Sequence, residues 1–184
     1  MVTFDWHEVW VRKGRIQSDD LRELDGFEET TINPKEAAKK IIKALNIKKN
    51  NKVLEVGCGA GMIAYYLTCD YIGIDYSKSL VKRHIELLGN HVLVSEANNL
   101  PFLDKSFNKA FSYSVFHYFP NKQYATRALK EMTRVCSGPI FIGDLPFRSH
   151  RQEHLLFKTS DFPEGIISEG YYNKDRFNVV LFQR

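Results

Sequence analysis

The amino-acid sequence predicts an α/β fold: a doubly wound, seven-stranded sheet, mostly parallel, that ends in an antiparallel hairpin. Three observations predict it. Short apolar runs at 53–56, 71–75, 91–95, 109–115 and 140–144 alternate with amphipathic stretches of helical period, the rhythm of a parallel sheet with crossovers. Two further runs, Gly165–Tyr172 and Phe177–Phe182, flank the polar turn Asn173-Lys174-Asp175-Arg176 and read as a hairpin. The first run stops in three alternate glycines, Gly57, Gly59 and Gly61, where a ligand-binding loop sits in such sheets.

At 184 residues and 43% hydrophobic the chain suits one domain, 1–184, with 1–50 as an N-terminal helical cap or lid and 51–184 as the core. No apolar run approaches the roughly 20 residues that span a bilayer. The start, Met1-Val2-Thr3-Phe4-Asp5, lacks a basic-then-apolar signal, and three cysteines without metal-like spacing fit a reducing, cytoplasmic setting. No metal site is expected. A net charge of +4 permits an anionic partner and does not indicate one.

Taken in order, Trp6, Val9, Trp10 and Lys13 fall at helical spacing before Gly14, and Asp19 to Leu24 is a second short helical segment broken at Asp25-Gly26. Two tryptophans so placed either staple the segment onto the domain or form a lid over a substrate. Asn33-Pro34 is a helix start, followed by the apolar stripe Ala37, Ala38, Ile41, Ile42 and Leu45. The lysines around that stripe lack interleaved aromatics or arginines, so they read as a solvated face and argue against a nucleic-acid partner. Val53 to Val56 is a strand buried on both faces. Met62 to Leu67 resumes with helix-compatible residues, whose first amides suit a carboxylate or phosphate. Asp75 closes the second strand, Ser77 caps a helix to about Leu88, His91–Ser95 is the third strand and Lys109–Val115 the fourth. Asn121 to Val135 is an amphipathic helix with Ala125, Ala128, Leu129 and Met132 inward, and Ile140–Asp144 is the fifth strand.

The glycine loop decides between ligands. A dinucleotide fingerprint, G-x-G-x-x-G, would put its third glycine on Met62. The loop is instead E-x-G-x-G-x-G, with Glu55 two residues before Gly57. Asp75 at the second strand tip, and Glu96-Ala97-Asn98-Asn99-Leu100-Pro101-Phe102 followed by Ser106-Phe107-Asn108, complete a pattern that resembles small single-domain members of the class I S-adenosylmethionine-dependent methyltransferases. The resemblance spans about Lys52 to Arg184. It implies a Rossmann-like fold and S-adenosylmethionine as cofactor, with S-adenosylhomocysteine as product. It also implies that Glu55 helps place the cofactor's ammonium group, Asp75 holds the ribose, and Glu96 and the Ala97 amide meet the adenine. Gly57, Cys58, Gly59, Gly61, Tyr76 and Ser114 complete the implied cofactor set. Two positions depart from the family pattern: the usual aspartate is Glu96, and Ser-Phe-Asp has become Ser-Phe-Asn at 106–108.

For the acceptor, base-directed amine methyltransferases carry Asn/Asp-Pro-Pro-aromatic after the fourth strand; here stands Val115-Phe116-His117-Tyr118-Phe119-Pro120. His117 titrates near neutrality and is the candidate catalytic base, with a packed structural histidine as the alternative. Trp6, Trp10, Tyr118, Arg148 and His150 are candidate substrate contacts. The expectation is methyl transfer to a small molecule, at oxygen in preference to nitrogen, with no membrane partner. A non-catalytic cofactor-binding module and an RNA methyltransferase are the alternatives.

Overall fold

The computed structural model describes residues 5–28, 30–148 and 153–183. Two short helices, α1 (Trp6–Lys13) and α2 (Leu21–Leu24), precede α3 (Pro34–Leu45) and β1 (Lys52–Val56). Then follow β2 (Asp70–Asp75), α4 (Lys78–Leu88), β3 (His91–Val94), β4 (Lys109–Tyr113), α5 (Lys122–Val135), β5 (Ile140–Pro146), β6 (Ile166–Glu169) and β7 (Arg176–Leu181). The helix starts follow local chemistry. Asp5, Asp20, Asn33, Ser77 and Asn121 each accept a backbone amide one turn on, at 2.8–3.4 Å. Asn46 and Gly89 end α3 and α4 in the left-handed region.

The strand order is β3-β2-β1-β4-β5-β7-β6. Strands β1 to β5 are parallel, and β7 runs antiparallel to both β5 and β6. Order reverses between β1 and β4, so the crevice of the fold opens at the carboxyl ends of those two strands.

Period-two alternation builds a core on each face. Val53, Phe111 and Phe141 pack with Ala37, Ala38, Ile41 and Leu45 of α3. Their neighbours Leu54, Ala110, Ile140 and Ile142 pack with Ala125, Ala128, Met132 and Val135 of α5 on the opposite face. Leu54, Ile41 and Met132 are fully buried. Ile42 and Leu129, both expected inward, are only partly buried.

Two expectations are corrected. The stretch after the glycines does not form an α-helix; it makes a single 3₁₀ turn, Ala64–Tyr66. Residues 62–69 are all that separate Gly61 from β2, too few for a helix and a return to the sheet. Strand β5 runs two residues past Asp144, through a register shift against β7 between Ile142 and Leu145. At this bulge Asp144 has φ 66, and Ser114, just past β4, has φ 60. Two non-glycine residues in the left-handed region on neighbouring strand tips mark backbone held by its surroundings. Among the described residues no helix is long and apolar enough to cross a membrane.

Candidate active site

The carboxyl ends of β1, β2 and β4 and the N-terminal segment enclose a cavity of about 470 Å³, within the range of small-molecule sites. Gly57 and Gly59 adopt φ of 77 and 51, closed to most side chains. A Cβ on Gly57 would lie 2.5 Å from Val115, and one on Gly59 would lie 2.2 Å from Asp25. Gly61, at φ 103, is different. It does not line the cavity, and its Cβ would strike Leu88 and His84, so it serves helix-to-loop packing.

Asp75 is the hub of the loop. Its Oδ2 accepts the Gly59 amide at 3.0 Å and its Oδ1 the Ser77 amide at 2.8 Å. Glu55, 3% exposed, accepts the Tyr71 hydroxyl on Oε2 at 2.7 Å. The loop amides expected to face a ligand do meet a carboxylate, but an internal one: Ala60 and Met62 donate to Asp25 at 2.6 and 2.8 Å. Asp25 ends α2 and lines the cavity. Sequence reasoning treats it only as a helix stop.

Glu55, Asp75 and Asp25 thus converge without a lysine or arginine partner among the described residues. Loss of hydration pushes the Asp25 carboxyl up to about 7, against the pull of the Ala60 and Met62 amides. The same cause raises Asp75 to about 6 and Glu55 well above the carboxylate range. A carboxyl raised on folding binds its proton more tightly in the folded than in the unfolded chain. The stability this confers is present at low pH and lost as pH rises from about 4 through about 7. The ligand-free chain should therefore melt higher at pH 5.5 than at pH 8.0, by roughly 2–4 °C per kcal/mol in a chain of this size. Circular dichroism melts check this; a midpoint equal or lower at pH 5.5 contradicts it.

Of the residues expected to hold a cofactor, Glu55, Gly57, Cys58, Gly59, Asp75, Tyr76, Glu96, Ala97 and Ser114 line the cavity. Glu96 is exposed and accepts the Tyr124 hydroxyl at 2.5 Å, which steadies the longer side chain. Trp6, Trp10 and Tyr118 also line the cavity. Both indoles lie against the Tyr118 ring, with centroids 4.6 and 4.9 Å away. The Ser77 and Ser79 hydroxyls hold α1 down through the Trp10 and Val11 carbonyls. Stapling and covering are therefore one arrangement.

His117 lies elsewhere. It is 1% exposed, its ring packs 4.0 Å from Tyr118 and 4.7 Å from His154, and its neighbours Val115 and Tyr118, not His117, line the cavity. Arg148 is exposed and off the cavity wall, and His150 lies outside the described residues. Phe27 and Tyr113 join the wall without having been singled out. Tyr113 carries a weak sequence signal, a hydroxyl-bearing residue in the last position of the buried strand β4.

Comparison with known proteins gives the same answer as the geometry. The family described as "Methyltransferase domain" matches residues 54–138, from β1 to the turn before β5. A "Probable tRNA methyltransferase 9B" of Bos taurus is 37% identical over 92 residues, covering 48% of this chain and 19% of that protein. A phthiotriol/phenolphthiotriol dimycocerosates methyltransferase of Mycobacterium ulcerans is 36% identical over 92 residues, covering 46% of this chain and 33% of its own length. This chain therefore spans a third or less of either relative. Among solved structures, a putative methyltransferase complexed with the Haloferax volcanii Trm112 activator shares the fold. The TM-score is 0.71, identity is 16%, and 99% of this chain and 100% of that one are covered. This strand order, this acidic glycine loop and the family match over residues 54–138 support a class I S-adenosylmethionine-dependent methyltransferase.

Proposed function

We propose that the chain transfers the methyl group of S-adenosylmethionine to a small acceptor held under its N-terminal segment, at oxygen in preference to nitrogen. The observation that carries this reading is the composition of the cavity wall. Its carboxylates gather around the glycine loop, Trp6, Trp10, Phe27, Tyr113 and Tyr118 form aromatic surface, and no lysine or arginine lines it among the described residues. Such a wall suits a flat or apolar acceptor better than a phosphodiester, whose binding draws on cations.

The cofactor fits the residues present. Glu55, Asp75 and Asp25 lack a cationic partner among the described residues, and a buried carboxylate without one is costly. Asp75 and Glu96 would hold the nucleoside, and Glu55 the ammonium group. When bound, S-adenosylmethionine supplies a methyl on a sulfonium, an electrophile that needs no further activation. The chain's own part is then alignment: Trp6 and Trp10 cover the cavity, exclude water and orient the acceptor, an effect that can reach roughly 7–11 kcal/mol. His117 acts by holding the Tyr118 ring in place. Preference for oxygen rests on the absence of an Asn/Asp-Pro-Pro element after β4.

A second reading, RNA methylation, is favoured by the names of relatives such as the bovine protein. Tritiated methyl from labelled S-adenosylmethionine, offered in parallel to a fractionated metabolite extract and to total tRNA, separates the two. Label is expected in the metabolite fractions. Label in tRNA alone, with binding that falls steeply with salt, would replace the small-molecule reading.

A further inference from the structure

Methyl transfer to a hydroxyl leaves one task open: the acceptor's proton needs a destination, and His117 is off the cavity wall. The acids of that wall are engaged elsewhere. Asp25 and Asp75 hold amides around the glycine loop, Glu55 holds Tyr71, Glu96 holds Tyr124 and Asp5 caps α1. His7 stacks on Tyr76, next to Asp75 in the chain, with ring centroids 4.2 Å apart. At the tip of β4 the wall is Tyr113, Ser114, Val115 and Tyr118.

Ser114 leads inward from there. It is partly buried, and its hydroxyl donates to Asp144 Oδ2 at 2.7 Å, a carboxylate 1% exposed and behind the wall. A serine hydroxyl has one proton and two lone pairs. With that proton committed to Asp144, Ser114 has only lone pairs left for a ligand. The Tyr172 hydroxyl and Arg176 Nη1 reach the same Oδ2, whereas the buried Oδ1 has no hydrogen-bond partner among the described residues. The titratable groups around the carboxylate are Arg176 of β7, Tyr172 just before it and Tyr113 of β4. Burial pushes both phenols up, so Arg176 alone is charged. Burial also outweighs Arg176 and keeps Asp144 above its ordinary value. Ser114 and Asp144 both hold left-handed backbone, at φ 60 and 66, a strain of about 1–3 kcal/mol each that is typical of functional sites.

We propose that Ser114 accepts the hydroxyl proton of the methyl acceptor and passes its own to Asp144, a proton relay from the cavity to a buried carboxylate. Because a hydroxyl is the group whose proton must leave, this role rests on the oxygen-directed reading proposed above. The acceptor oxygen forms its bond to the methyl carbon, and the pair of the broken carbon–sulfur bond stays on sulfur. The pair of the acceptor's O–H bond stays on oxygen; its proton moves to Ser114 Oγ as the serine proton moves to Asp144 Oδ2. Serine ends as it began, and the sulfonium charge and the carboxylate charge disappear together. Once the product leaves, the proton returns to solvent by the same route. Ser114 is then a catalytic residue and Asp144, acting through it, a positioning one.

Ser114→Gly tests this, since glycine is at ease at φ 60 and the variant should melt no lower than wild type. Its affinity for S-adenosylmethionine by calorimetry should stay within about 3-fold. Transfer of tritiated methyl into the fractionated metabolite extract should fall by about 100-fold or more at pH 7. From pH 6 to pH 9 wild-type transfer should rise and level off as Asp144 ionises, while the variant keeps climbing because the acceptor must ionise unaided. Asp144→Asn/Arg176→Met, with Ser114 in place, should show the same climb, which a purely structural Asp144 would not produce. Transfer unchanged in Ser114→Gly, a loss matched by weaker cofactor binding, or a variant profile that levels off like wild type would each overturn the relay. Wild type that labels no metabolite fraction would remove the small-molecule reading itself, a result distinct from label that Ser114→Gly leaves unchanged.

Discussion

Arg176→Met is expected to cost about 3–5 kcal/mol of folding stability, the range for breaking one side of a buried ion pair. Arg176 and Asp144 are 5% and 1% exposed, and the guanidinium Nη1 donates both to the Asp144 carboxylate at 2.8 Å and to its carbonyl at 3.0 Å. The same carboxylate oxygen accepts the Ser114 hydroxyl at 2.7 Å and the Tyr172 hydroxyl at 3.1 Å, and the Asp144 amide donates to Asn178 at 3.0 Å. One side chain thus holds two left-handed strand tips together beside the cavity. Burial already raises the Asp144 carboxyl, and Arg176 is the strongest influence pulling it down. Without Arg176 it rises further. The folded variant then prefers the protonated acid, so its deficit relative to wild type should shrink as pH falls from 8 toward 4.5. Urea denaturation of Arg176→Met and of the Asp144→Asn/Arg176→Met pair measures this. The double variant should recover much of the loss, and a single variant within about 1 kcal/mol of wild type at pH 8 would show the pair to be dispensable.

Asp75→Ala is expected to weaken S-adenosylmethionine binding by about 1–3 kcal/mol, the range for a hydrogen bond to a charged group. That is roughly 5-fold to 150-fold in dissociation constant. Two effects act in the same direction. The variant removes the acceptor at the β2 tip, and it frees the Gly59 and Ser77 amides that the carboxylate now holds at 3.0 and 2.8 Å. Asp75→Asn keeps one acceptor oxygen and should fall between. Glu96→Ala, at an exposed carboxylate shared with Tyr124, should cost less than Asp75→Ala. Calorimetry on the three variants checks the order; unchanged affinity in Asp75→Ala would remove its role.

The sheet was legible because its signals are local. Every parallel strand is a short apolar run, and every long helix has a side-chain cap readable in the sequence: Asn33, Ser77 and Asn121. Asp75 and Glu55 were legible because strand tips and loop spacing are local too. Asp25 was not, since its partners lie 35 and 37 residues away and only the folded chain brings them together. The single 3₁₀ turn after Gly61 was missed for the opposite reason: the residues there suit a helix, and only the distance to β2 denies it. Nor does any pattern announce that Asp144 and Ser114 turn left-handed, because neither is a glycine and the partner that fixes Asp144 there, Arg176, lies 32 residues away. His117 shows the limit of reading by residue type. Its chemistry made it a candidate base, while its packing puts Tyr118 at the wall.

The dependence of the glycine loop on Asp25 bears on how portable that loop is. Grafting residues 52–67 onto another α/β scaffold would carry across all three glycines and leave the Ala60 and Met62 amides without an acceptor, at about 1–3 kcal/mol for each one buried. A host would have to offer a carboxylate of its own at the matching place. In this molecule the glycine turn is not a cassette; its shape is completed by a distant stretch of the same polypeptide.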